Sequence, residues 1–148
     1  MLNALVVDDS ELIRTRLAEL LRSMPGMDAV DTAVNLAEAL DRVDANPPSM
    51  LFLDLHLPDG NATQILGALR RRAPAMRIVM LTNDATEFNR GKCVAEGADA
   101  FFDKSTELDG ALAWVQLLIT AQGLARRAAY GGAGAGPLIP PATSGEAR

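Results

Sequence analysis

The sequence predicts an α/β domain, a doubly wound five-stranded parallel sheet flanked by five helices. Two observations predict it. Short runs that are apolar throughout, rather than at every second position, belong to strands buried on both faces, which is the situation of a parallel sheet. Between them lie stretches whose apolar residues recur every three or four positions, and right-handed crossovers place such helices on both faces of the sheet. With 148 residues, 49% hydrophobic and 22% charged, the chain has enough apolar content for one core.

Leu2 to Val7 is the first buried strand, ending on Asp8-Asp9-Ser10. The helix that follows carries Leu12, Ile13, Leu17, Leu20, Leu21 and Met24 on one face, and Pro25-Gly26 stops it. Asp28 to Val34 is a weaker strand, and Asn35 caps a helix bearing Leu36, Leu40 and Val43 that breaks at Asn46-Pro47-Pro48. Met50 to Leu53 forms the third strand and delivers Asp54. From Asn61 to Arg72 a helix presents Ile65, Leu66 and Leu69, and Pro74 closes it. Arg77 to Leu81 is the fourth strand, ending on Thr82. A short helix from about Thr86 to Glu96 holds Gly91, which costs up to about 1 kcal/mol against Ala, so this is expected to be the least rigid helix. Ala100 to Phe102 is the fifth strand and leads to Asp103-Lys104-Ser105. The last helix covers Thr106 to Ala129. Residues 1–129 thus form the domain, and 130–148 are a Gly/Pro/Ala-rich tail of a composition that cannot order itself and is expected to be disordered.

In such sheets ligands bind beyond the carboxyl ends of the strands. There the reading gathers Asp8, Asp9, Asp54, Thr82 and Lys104. An N-cap role for Asp54 conflicts with spacing, because the next helical pattern starts no earlier than Gly60 or Asn61; Asn61 or Asp59 is the expected cap. Two carboxylates about 4 Å apart repel by about 4 kcal/mol at an effective dielectric near 20, so clustered acids need a cation or a proton. Oxygen ligands favour a hard metal, and Mg²⁺ fits best. Asp54 is then the nucleophile that forms an aspartyl phosphate, Lys104 stabilises the transferring phosphoryl group, and Thr82 donates a hydrogen bond to it.

Composition limits the partners. The net charge of -5 opposes direct nucleic-acid binding. The single cysteine, Cys93, excludes an internal disulfide and a multi-cysteine metal site. Met1 to Val7 lacks a basic leader, and Asp8 interrupts the run before a membrane span forms, so a cytoplasmic protein without membrane association is expected.

These residues resemble the response regulator receiver domain of two-component signalling, of the stand-alone, single-domain type. Val6-Val7-Asp8-Asp9-Ser10, Leu53-Asp54-Leu55-His56-Leu57-Pro58-Asp59-Gly60, Leu81-Thr82 and Phe101-Phe102-Asp103-Lys104 carry the likeness. The resemblance implies a flavodoxin-like strand order of 2-1-3-4-5. It implies that Asp54 accepts phosphate from a sensor histidine kinase or phosphotransfer protein, with output by protein-protein interaction or as a phosphate relay or sink toward a target the sequence does not name. It further implies that Asp9, Asp54 and the His56 backbone carbonyl bind Mg²⁺, that Asp8 acts through metal-bound water, and that Thr82 and Phe101 form a switch pair.

Three positions depart from the family pattern. Ser105 replaces the proline usual after the site lysine, so the Lys104-Ser105 peptide is expected to be trans. Asn83 stands where a small residue is common, and His56, the sole histidine, follows Asp54 by two. An aspartate-nucleophile phosphohydrolase is the rival reading from the enzyme class, but those enzymes carry an acid where His56 stands. A receiver-like module that is never phosphorylated is opposed by the joint presence of Asp54, Lys104 and Thr82. The last helix shows two apolar stripes. Leu108, Ala111, Leu112, Val115, Leu118 and Ile119 face the sheet, whereas Trp114, Leu117, Ala121 and Leu124 are expected to form an exposed association surface, and related receivers dimerise through this region, so a homodimer is expected.

Overall fold

The computed structural model describes residues 2–131, with side chains through residue 122. The main sheet is parallel and ordered β2-β1-β3-β6-β7. Its strands are β1 (Asn3–Val7), β2 (Ala29–Ala33), β3 (Met50–Leu53), β6 (Arg77–Thr82) and β7 (Ala100–Asp103). This is the expected order. The numbering differs because β4 (His56–Leu57) and β5 (Gly60–Asn61) make a small antiparallel hairpin after Asp54. Gly60 turns that hairpin at φ +143°, a backbone conformation that side chains with a Cβ rarely adopt.

Alternation along the strands separates two cores. Leu5, Val7, Leu51, Leu53, Ile78 and Met80 pack on one face against α2 (Leu36–Ala45), α3 (Thr63–Arg72) and α4 (Glu87–Ala95). Ala4, Val6, Met50, Phe52, Val79 and Leu81 pack on the other against α1 (Glu11–Arg22) and α5 (Leu108–Gly131). Central strands are therefore buried on both sides, which is why they read as unbroken apolar runs.

Helix starts follow the local chemistry with one correction. Ser10, Asn35 and Thr86 accept from the backbone N–H three residues on, at Ile13, Glu38 and Asn89. For α3 neither expected cap takes the N-cap position, which falls on Ala62 without a side-chain cap bond. Asn61, one residue earlier, accepts from Thr63 N at 2.9 Å, and Asp59 instead caps α2, accepting from Leu36 N at 2.9 Å and Ala37 N at 3.0 Å. Those backbone donors, that of Leu36 foremost, hold the Asp59 carboxyl below its usual range. The carboxylate thereby ties the loop after β3 to α2, a contact across the fold that neighbouring residues could not reveal.

The exposed stripe expected on α5 is also corrected. Trp114 and Ala121 are 7% and 8% exposed, and Trp114 belongs to the core with Leu2, Val115 and Leu118. Leu117 alone is open, at 57%, and the Leu124 side chain lies outside the described residues. On a helical wheel Trp114 and Ala121 each fall about 60° or less from a core residue, so the buried arc is broad rather than split. The Trp114 indole Nε1 is buried without a hydrogen-bond partner. That omission costs about 1–3 kcal/mol. Burying about 150–250 Å² of tryptophan returns about 4–6 kcal/mol at 25 cal/mol/Å², so packing wins. α5 runs to Gly131, two residues into the expected tail; the remainder, residues 132–148, lies outside the described residues.

Candidate functional site

The sheet carries its ladder one residue past three strand ends. Asp8 N donates to Ala33 O at 3.2 Å, Asp54 N to Val7 O at 3.1 Å and Lys104 N to Thr82 O at 2.8 Å. The main chains of the three charged residues are thus fixed by the same hydrogen bonds that build the strands, and their side chains meet at the carboxyl edge.

Lys104 Nζ donates to Asp8 Oδ2 at 2.6 Å and to Asp54 Oδ2 at 2.8 Å. All three side chains are largely withdrawn from water, at 7%, 6% and 10% exposure. Burial alone would pull the ammonium down, but its hydrogen bonds to Asp54 and Asp8 outweigh burial and raise the Lys104 pKa above 10.5. The lysine therefore stays charged and offsets part of the acidic excess. One carboxylate oxygen from each of Asp8, Asp9 and Asp54 lies within 4.8 Å of the others, with Asp9 the exposed member. Three anions against one ammonium leave two negative charges uncompensated, and an all-oxygen set of this size suits a hard divalent cation. Asp8 is further fixed by Ser10 N, which donates to its Oδ1 at 2.9 Å.

Around this centre the expected residues take different positions. Thr82 is buried at the end of β6, and its Oγ1 accepts from Asp84 N at 3.1 Å. Phe101 is 4% exposed and packs in the α2-α3-α4 core. The Arg90 guanidinium lies 4.9 Å from the Phe101 ring centroid, and its Nη1 donates to Phe101 O at 2.8 Å. Sequence reasoning did not single out Arg90, because a cation on a short helix carries no local mark of the ring it covers. Asp84 was missed because its partner, His56, lies 28 residues away in the chain. Its Oδ2 lies 2.6 Å from His56 Nε2, and this contact with the imidazole holds the Asp84 carboxyl below its usual range. His56 and Asp84 thus bridge the loops after β3 and β6. A second bridge joins the loops after β7 and β6, where Ser105 Oγ donates to Asn83 Oδ1 at 3.0 Å. The Lys104-Ser105 peptide is trans, as expected of a serine there. Two of the three departures from the family pattern therefore contact each other.

Known proteins resemble this chain. The family model of the response regulator receiver domain matches residues 4–116. The DNA-binding transcriptional activator DevR/DosR of Mycobacterium tuberculosis is 35% identical over 104 residues, covering 70% of this chain and 48% of that protein. A protein-glutamate methylesterase/protein-glutamine glutaminase of Desulfotalea psychrophila is 33% identical over 108 residues, 72% of this chain and 30% of that one. The chain spans about half or less of the length of these curated relatives. Among solved structures, a Burkholderia pseudomallei response regulator with a phosphorylated aspartic acid, calcium ion and citrate is 29% identical, with a TM-score of 0.71 over 88% of this chain and 75% of that one. A CheY-like receiver domain of Methanospirillum hungatei gives a TM-score of 0.75 at 23% identity, covering 84% of this chain and 98% of that one, and supports the fold. Among the described residues no helix is long and apolar enough to cross a membrane. With its family match across most of its length and its strand-end acids and lysine in contact, the chain belongs to the response regulator receiver domains of two-component signalling.

Proposed function

We propose that Asp54 accepts a phosphoryl group from the phosphohistidine of a sensor kinase or phosphotransfer protein, and that the phosphorylated chain signals by protein-protein interaction or passes the group on. The observation that carries this reading is the Lys104 ammonium held between Asp8 and Asp54, a positive charge beside the buried carboxylate that follows β3, the middle strand of the sheet. The acid cluster fits Mg²⁺, held by Asp9, Asp54 and the His56 backbone carbonyl, with Asp8 acting through bound water. When bound, the ion neutralises charge on the acids and on the transferring phosphoryl oxygens.

The chain's own residues do the rest. An Asp54 carboxylate oxygen forms the new O–P bond as the P–N bond to the donor histidine breaks and its electron pair leaves with the imidazole, and Lys104 keeps its contact with Asp8 while turning one N–H toward a phosphoryl oxygen. The Thr82 hydroxyl leaves Asp84 N to donate to a second oxygen. As the switch pair of this family implies, Phe101 then moves toward the space the hydroxyl leaves, and its ring and carbonyl are held by Arg90. Repositioning of Phe101 therefore reaches α4, where Phe88 and Val94 are exposed at 75% and 51% and offer a surface to a protein target. A phosphohydrolase reading needs a proton donor two residues after Asp54, whereas His56 is engaged by the Asp84 carboxylate. The proposal is tested by exposing the full chain to a small acyl phosphate with and without Mg²⁺. Stable addition of one phosphoryl group that requires Mg²⁺ and disappears in Asp54→Asn is expected; equal labelling of Asp54→Asn would overturn it.

A further inference from the structure

At the amino ends of the strands, opposite the acidic site, lies an apolar groove of about 640 Å³. Pro48 from the α2–β3 turn, Pro74 and Met76 from the α3–β6 turn, and Leu118 and Ala121 from α5 line it. We propose that this groove seats the chain's own segment Pro137-Leu138-Ile139-Pro140-Pro141, so that the end of the chain folds back along α5.

Reach permits it. From Ala121 the helix advances about 15 Å to Gly131 at 1.5 Å per residue, and the seven residues from Gly131 to Leu138 span up to about 23 Å when extended. The return path is thus shorter than the chain available for it. Four of the six residues 131–136 are glycine, which imposes no steric bar on a reversal of direction. Beyond them Leu138 and Ile139 are the large aliphatic residues of the entire stretch 131–148.

Chemistry matches the reach. The stretch as a whole is too poor in apolar residues to form a core, but two aliphatic side chains need only a preformed apolar surface. Pro137, Pro140 and Pro141 have their φ fixed before binding, which lowers the ordering cost of the bound segment. The groove volume lies in the range of about 300–1,000 Å³ typical of sites that enclose a few side-chain-sized groups. Tethering decides among occupants. A segment joined to α5 by a short linker acts at an effective concentration of about millimolar, so a modest groove suffices for it, whereas a separate partner or second copy must supply its whole affinity from the contact.

The test is made on the full chain in a Cys93→Ala background, with a nitroxide attached at Ala142→Cys and backbone amides observed by NMR. Selective broadening at Ser49, Met76 and Ala121, lost when Leu138 and Ile139 are both changed to serine, is the expected result. The described core is complete without these two residues, so folding is not at stake. Absence of broadening at those amides, or its persistence in the double-serine form, would overturn the proposal. So would broadening that appears when spin-labelled chain without ¹⁵N is mixed with ¹⁵N chain lacking the label, because that outcome makes a second copy the occupant.

Discussion

At the carboxyl ends of β1 and β3 the sheet holds Asp8 and Asp54 against Lys104, while at the amino ends of the same strands Leu2 and Met50 open onto an apolar groove. The strands are continuous, and their middles pack alike on both faces. What differs is the cost of the residues at each end. Burying like charges opposes folding and is tolerated only where an ammonium, a metal or a proton compensates. Burying Met50 or Met76 favours folding without any partner. One end of the sheet thus gathers charge at the expense of stability, and the other contributes stability without touching the acidic cluster.

Removal of Lys104 should show the largest effect. Lys104→Met leaves Asp8 and Asp54 facing each other while buried, and about 3–5 kcal/mol of stability should be lost in the presence of a chelator. Urea unfolding should recover part of that loss on adding Mg²⁺; an unchanged midpoint in chelator would show that the acids are not held together by the lysine. At the other end, Met76, 2% exposed, should cost about 2–5 kcal/mol when changed to Ala. Its phosphorylation at saturating acyl phosphate should match wild type when measured well below the unfolding midpoint. A parallel loss of labelling would mean that the two ends are coupled.

A third prediction concerns alkaline pH. Burial pushes the Cys93 thiol up from 9.0 to about 11. A pKa raised on folding contributes stability that is complete below the unfolded value and is lost as pH rises through the folded one. Between pH 9 and 11, about 3 kcal/mol should disappear on this account, at about 1.4 kcal/mol per pH unit. Lys104, also raised, loses its contribution above 10.5, but equally in wild type and Cys93→Ala. The difference between those two proteins, followed by urea unfolding from pH 8 to 11, isolates the thiol. A constant difference would refute it.

The smallest effect lies on α4. Nothing stands within 4 Å of a Cβ built on Gly91, so Gly91→Ala should raise stability by about 0.5–1 kcal/mol without steric cost. Calorimetry should show a higher Tm, and a decrease would indicate that this helix needs its glycine.

How far the sequence could be read follows the range of the interactions. Strands β1, β3 and β6 were legible because each is an apolar run buried on both faces that stops at a polar residue, Asp8, Asp54 or Thr82. The cap at Asn35 was legible because its partner, Glu38, lies three residues away. Asp59 was assigned to the wrong helix because its partners, Leu36 and Ala37, lie more than twenty residues back. The His56–Asp84 contact spans 28 residues and was invisible for the same reason, whereas Arg90 and Phe101, 11 residues apart, meet only because α4 packs beside β7. On α5 the misjudgement was one of arc. Spacing of three and four between Trp114, Leu117 and Ala121 imitates a second seam, yet only the sheet and Leu2 determine that two of these turn inward.

Locating the phosphoryl group tests the central claim most directly. The chain is treated with acyl phosphate and Mg²⁺, the acyl-phosphate linkage is reduced with borohydride, and the modified residue is identified by peptide mass mapping. The account predicts homoserine at position 54 and nowhere else. Homoserine at Asp8 or Asp9, or a phosphate on a hydroxyl or on His56 that survives the reduction, would contradict it.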